Sequence, residues 1–234
     1  ARYHPDTHQK TITDLNPHLD YTTSTIPANE RRKSIGDPRG IVWNAAGTIA
    51  YVSGMGSGNL IAIDSVGNRI GEPLQLEAGA CGMALDETRD RLYVLNRFAN
   101  TISTVDVEEW EVDASTCMFD PTPAVIKTGR KHLYDTHKNS GLGYVSCASC
   151  HPEGRMDRLA WDLGDPSGPL VRVNANFHPM KGPMVTHTLQ DIIGHEPFHW
   201  RGDRAGIKDF NQTFPALLGG PLLTTNEMRE FKEF

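Results

Sequence analysis

Residues 40–64 read GIVWNAAGTIAYVSGMGSGNLIAID, and residues 82–106 read GMALDETRDRLYVLNRFANTISTVD. Set against each other at a constant offset of 42 without a gap, Gly40 falls on Gly82, Tyr51-Val52 on Tyr93-Val94, and Leu60 through Asp64 on Ile102 through Asp106. Each copy divides into short strands, at 40–44, 49–53 and 59–64 and again at 82–86, 91–95 and 101–106. Turn clusters such as Asn44-Ala45-Ala46-Gly47 and Asp86-Glu87-Thr88-Arg89-Asp90 separate them. A repeat of this length carrying several strands has the form of a β-propeller blade. About two blades are present, too few to close a ring, and an open stack leaves apolar faces bare. The missing blades must then come from residues of the same chain not included here or from another chain. A small two-sheet β domain is the rival reading.

The motif strands Ala50-Tyr51-Val52-Ser53 and Leu92-Tyr93-Val94-Leu95 resemble the YVTN family of propeller repeats, over roughly 37–113. Residues 1–36, polar and rich in Thr, Pro and His, read as an extended lead-in to the blades at 37–119. His4, His8 and His18 within it are read as scattered surface histidines, with metal ligation as the alternative. Gly54-Met55-Gly56-Ser57-Gly58 joins two strands, so it is a turn and not a phosphate loop. Arg201-Gly202-Asp203 and Asn211-Gln212-Thr213 match an adhesion tripeptide and a glycosylation sequon by chance. Pro121 and Pro123 mark a linker, after which 120–234 form a second domain.

That domain carries the strongest chemical signal, Cys147-Ala148-Ser149-Cys150-His151. Two thiols three positions apart add to the two vinyl groups of one haem, and the following imidazole binds the iron from below. The pattern thus predicts one covalently bound haem c, with His151 as proximal ligand. A thioredoxin-like pair would need a βαβ setting, and a zinc site a second ligand pair; Cys81 and Cys117, 36 apart, supply none. These two are read either as a disulfide or as buried free thiols. Attachment of this kind takes place outside the cytoplasm, which points to a bacterial periplasmic or cell-surface protein.

Gly129 through Asp135 and the Ser146-Cys147 approach to the motif resemble the bacterial di-haem cytochrome c peroxidase superfamily. So do Gly182-Pro183 with Thr186-His187-Thr188-Leu189, and Phe198-His199-Trp200-Arg201-Gly202. The resemblance covers about 126–234 and implies an all-α cytochrome c-like haem domain. It maps a distal-side histidine near His178, one position off register, the inter-haem tryptophan onto Trp200, and a peroxide-handling carboxylate onto Asp209. Asp209 is shorter than the family's glutamate, and the chain has no second C-x-x-C-H. For the distal iron position, His178 and Met184 lead, with Met180 and His199 as alternatives. Arg201 and Arg204 are candidates to pair with haem propionates.

Composition sets the remaining bounds. The chain has 234 residues, 38% hydrophobic and 22% charged, with a formal charge of −6 that gives no basis for nucleic-acid binding. No apolar run reaches the length of a membrane span. The chain opens on Ala1-Arg2-Tyr3-His4 without a signal peptide and is read as mature or cut from something longer. Thr224 and Glu227 mark a helix start, with Leu223 and Met228 as a staple. No stop signal follows Phe234, so this helix is read as continuing. The expected function is a c-type cytochrome transferring electrons in the periplasm or at the cell surface. The blades would dock a redox partner protein, further haem domains or a substrate. A peroxidase-like haem oxidoreductase, and a propeller binding module with the haem as sensor or relay, fit the same residues.

Overall fold

The computed structural model describes residues 1–165, 167–172, 176–177 and 180–234. A hairpin of β1 (Arg2–His4) and β2 (Gln9–Thr11) and one turn of helix, α1 (Ala28–Arg31), precede two four-stranded sheets. The first runs β3 (Pro38–Trp43), β4 (Ile49–Gly54), β5 (Asn59–Asp64), β6 (Arg69–Gln75). The second runs β7 (Ala80–Asp86), β8 (Arg91–Asn96), β9 (Thr101–Asp106), β10 (Glu111–Cys117). Both are antiparallel meanders in chain order, the form of a propeller blade. The repeat had shown three strands per copy; β6 and β10 are the fourth. They escaped the pattern because Pro73 and Gly71 interrupt β6 and every residue of β10 is exposed, so neither edge strand alternates.

The two sheets pack face to face. Tyr51, Leu60 and Ala62 of the first meet Ala80, Leu92, Val94 and Val105 of the second in one core. Trp110, in the β9–β10 turn, stacks on Tyr51 at 6.0 Å between centroids and donates its indole N–H to the Glu72 carbonyl at 2.8 Å. The Ser53 hydroxyl donates to the Cys81 carbonyl at 2.8 Å, a polar tie between the sheets. The other face of the first sheet (Ala50, Val52, Ile61, Ile63) is covered by Ile35 and Leu15. The lead-in is anchored at Leu15, Asn16, Ser34 and Ile35, while most of its other residues are exposed. The Asn16 side chain brackets Ile35, donating to its carbonyl and accepting from its N–H. The Ser34 carbonyl accepts from Asn59, and its hydroxyl donates to the Leu142 carbonyl. Cys81 and Cys117 are both free. They lie on β7 and β10, with two strands between them, roughly 14 Å at ordinary strand spacing and outside disulfide reach.

Beyond the sheets come α2 (Ala124–Tyr134) and α3 (Thr136–Asn139), then 3₁₀ turns at Cys147–Ser149 and Pro152–Gly154. Two-residue ladders follow, β11 (Ala160–Trp161) with β14 (Met184–Val185) and β12 (Val171–Arg172) with β13 (Asn176–Phe177). A 3₁₀ turn at Ile207–Phe210, α4 (Thr213–Leu218) and α5 (Thr225–Glu233) complete the chain. The expectation of an all-α second domain is corrected here: no α-helix occurs among the described residues between 155 and 206. Gly164, Gly168, Pro169, Gly182, Pro183, Gly194, Pro197 and Gly202 disfavour helical turns along this stretch. No helix among the described residues is long and apolar enough to cross a membrane.

Thr224 and Glu227 form a full capping box at the start of α5, and Leu223 and Met228 are buried with Phe214. α5 crosses α2 at Gly129, where a Cβ would stand 2.2 Å from the Glu230 carbonyl oxygen. Only glycine permits that approach. The crossing is clamped by Lys138 on Glu227 and by His132, whose Nε2 lies 2.9 Å from the Glu230 carboxylate.

This clamp makes the fold acid-sensitive. The Lys138 bond, followed by the Thr224 N–H, holds the Glu227 carboxyl down at about 2 against an ordinary 4.5. A depressed acid stabilises fully above its unfolded pKa and loses that contribution as pH falls through its folded one. Burial lowers His132 despite Glu230. Its neutral form is preferred in the fold, and stability is lost as the unfolded chain takes up the proton below the ordinary 6.5. Urea midpoints should therefore fall in two steps from pH 7 to pH 2, and Glu227→Gln should flatten the lower step. An unchanged profile in that variant would remove Glu227 as the cause.

Candidate functional site

The Cys147–His151 segment folds as a tight turn: the Cys150 and His151 N–H groups both donate to the Cys147 carbonyl, at 3.2 and 2.9 Å. The Ser149 hydroxyl accepts from the Ser146 N–H at 3.1 Å. Helix α2 positions this turn, because its Leu133 and Tyr134 pack on Ala148 together with Met55 from the first sheet. Cys147 lies where that cluster meets the one formed by Phe214, Leu223 and Met228.

Burial pushes the Cys147 thiol up to about 12. It raises Cys150 as well, with Asp157 adding to the effect. Reactive or metal-binding thiols have lowered pKa values in electropositive surroundings; this pair stays protonated at neutral pH. The His151 Nδ1 lies 2.8 Å from the His187 carbonyl and 3.2 Å from the Arg155 carbonyl. Carbonyl oxygens only accept, so these partners assign the proton to Nδ1 and leave Nε2 with its lone pair. Burial lowers the His151 pKa, against the two carbonyls, so the ring is neutral at pH 7. A neutral imidazole oriented through Nδ1, one residue after two cysteines three positions apart, fits the protein side of a covalent haem site. The His187 Nε2 is buried without a hydrogen-bond partner among the described residues. Among the described residues, no group of three or more His, Cys, Asp or Glu side chains is gathered as for a bare metal ion.

The other residues singled out in the sequence lie in separate surroundings. His178 lies outside the described residues. Met184 sits in β14 opposite Trp161, partly buried, while Met180 is 59% exposed. Trp200 is exposed, donates to the Val185 carbonyl at 2.7 Å and rests 4.0 Å from the His187 ring. It thereby reaches the His151 surroundings through His187. His199 and Arg201 are instead engaged by Asp203. This carboxylate is 2% exposed and meets His199 at 2.9 Å, Lys181 and Arg204 at 3.5 Å and Arg201 at 3.7 Å. Burial alone would raise the Asp203 pKa, but His199 and Lys181 outweigh it and the net direction is down. Arg201 and Arg204, expected at propionates, thus serve an internal carboxylate. Asp209 accepts from the Ala205 N–H at 2.7 Å. Asp203 and His187 were not recognised from sequence. Asp203 appeared only inside a chance tripeptide, and His187 only inside a short resembling stretch.

No family model matches this chain, and no curated protein does. Among solved structures, it is similar to hydrazine synthase from Kuenenia stuttgartiensis (17% identity, TM-score 0.35, covering 37% of this chain and 25% of that one). It is also similar to a periplasmic gluconolactonase from Pseudomonas aeruginosa (22% identity, TM-score 0.32, 37% and 28%). A third is a dihydro-heme d1 dehydrogenase (11% identity, TM-score 0.27, 32% and 16%). The chain spans about a quarter of the length of the first of these. Overlap this small and distant assigns no residue of the site.

Proposed function

We propose that this chain is part of a c-type cytochrome that transfers electrons in the bacterial periplasm or at the cell surface. Cys147 and Cys150 would hold one haem c through thioethers, and His151 would bind its iron. The observation that carries the reading is the His151 imidazole: its Nδ1 is committed to two carbonyls and its Nε2 is left as a donor, one residue after the second of two protonated thiols. The group would supply one-electron chemistry at a potential set by its second axial ligand and its surroundings. The chain's part is to keep that ring neutral and oriented.

The sheets would act as the docking scaffold. The outer face of the second sheet exposes Tyr93 and Leu95 beside Ile102. These are the positions 42 residues on from Tyr51, Ser53 and Leu60, which the first sheet buries against its neighbour. Further propeller blades, from the same or another chain, are the proposed cover for this face. A redox partner protein is the proposed reader of the assembled scaffold.

Denaturing gel electrophoresis with haem-peroxidase staining tests the attachment. Pigment should run with the polypeptide and be absent from the Cys147→Ala, Cys150→Ala double variant, because thioether bonds survive denaturation. Extraction of intact haem from the native protein by acid-acetone would refute the covalent reading.

A further inference from the structure

A cavity of about 450 Å3 opens where the second sheet meets α2 and the Pro152–Gly154 turn. Its walls include Arg97 and Phe98 from the β8–β9 turn, Phe119 from the segment after β10, Arg130 and Tyr134 from α2, and Glu153. Arg97 and Arg130 both lie over the Phe98 ring, with guanidinium carbons 5.9 and 5.2 Å from its centroid. Phe98 in turn packs on Tyr134 at 4.6 Å. The loop carrying Phe98 is held by Gly79 at φ +87°, where a Cβ would stand 2.5 Å from the Phe98 nitrogen. Phe119 is 88% exposed at the rim, and its carbonyl accepts from the Asn100 side chain.

Arg97, Arg130, Asp120 and Glu153 are the charged residues that line this cavity, and their pairing leaves one guanidinium over. Glu153 is served by Arg97 at 2.9 Å and Arg39 at 3.8 Å. Asp120, which also lines the cavity, is paired with Lys127 at 2.7 Å. Arg130 has no carboxylate partner among the described residues, and its hydrogen bond goes to the Phe98 carbonyl at 3.5 Å. A guanidinium fork suits a planar carboxylate better than a lone carbonyl. The rings of Phe98, Phe119 and Tyr134, set in an otherwise mostly polar lining, suit a flat anion with a small apolar body, and the volume is that of a small-ligand site. We infer that this cavity binds a small organic anion, an aromatic or similarly flat carboxylate, with Arg130 as its anchor and Phe98, Phe119 and Tyr134 as its apolar walls. This inference is independent of the haem reading, since none of the three motif residues lines the cavity.

Titration calorimetry of the full chain with benzoate, benzyl alcohol and benzylamine tests it. Benzoate should bind at one site with a dissociation constant below about 1 mM. The alcohol and the amine should bind about tenfold more weakly or not at all. Arg130→Gln should weaken benzoate by about tenfold or more while leaving the circular dichroism unchanged, and Arg130→Lys should lie between. Phe119→Ala, at an exposed rim position, supplies a second variant should Arg130→Gln fail to fold, and it too should weaken benzoate. The proposal is overturned by the absence of saturable benzoate binding, by equal binding of benzyl alcohol, or by full retention of affinity in Arg130→Gln or Phe119→Ala.

Discussion

Leu92→Ala should lower the unfolding free energy by about 2–5 kcal/mol, the range for emptying a fully buried leucine site, while Leu95→Ala on the same strand should change it by less than about 0.5 kcal/mol. The contrast follows from which face each side chain takes. Leu92 is 0% exposed between the two sheets, where Leu60, Val94 and Val105 surround it. Leu95 is 36% exposed on the opposite face. The loss combines the transfer of a branched side chain out of apolar surroundings with the cavity left behind, which two sheets braced by the Trp110–Tyr51 stack cannot fill by sliding. Urea unfolding at neutral pH would measure both variants. Equal midpoints would mean that the interface between the sheets contributes little and that each sheet is stable alone.

The second large effect concerns His151. With Cys147 and Cys150 intact, His151→Ala should keep pigment covalently attached on the denaturing gel yet shift the Soret and visible bands strongly. Loss of any other histidine, His199 included, should disturb the spectrum far less, because His151 alone follows the second cysteine of the motif. Two readouts on one variant separate attachment from ligation. Retained pigment with an unchanged spectrum would show that another group binds the iron. Loss of pigment altogether would mean that His151 is required for attachment itself.

The 42-residue repeat made the sheets legible because their central strands bury one or both faces, and burial writes alternation into the residues. Exposed edge strands carry no such mark, which is why Glu111–Cys117 was invisible until paired with β9. The cysteine–histidine pentad was legible for a different reason: attachment chemistry fixes residue type and spacing irrespective of fold. What surrounds it was not, because its partners are backbone carbonyls, and the His187 and Arg155 carbonyls acting on His151 belong to whatever residues the chain brings there. Asp203 shows the same limit. Nothing in Arg201-Gly202-Asp203-Arg204 says that the acid turns inward and draws both arginines, His199 and Lys181 onto itself. The helical expectation for 120–234 rested on resemblance at a few short stretches and overlooked the proline and glycine density between them.

The lead-in gives the stack of sheets a direction. Ile35 and Leu15 seal one end, while the other end presents Tyr93 and Leu95 to solvent. Those two ends are complementary by construction, since a shift of 42 residues maps one buried pairing onto the next. A copy stripped of residues 1–36 would thus carry matching ends, the condition for head-to-tail addition, which closes into a ring where the rotation between sheets allows it and runs on as a filament where it does not. With the seal in place, only the end at Tyr93 and Leu95 is open to another sheet. A segment that carries only a short hairpin and one helical turn thus decides which end of the stack can accept another sheet.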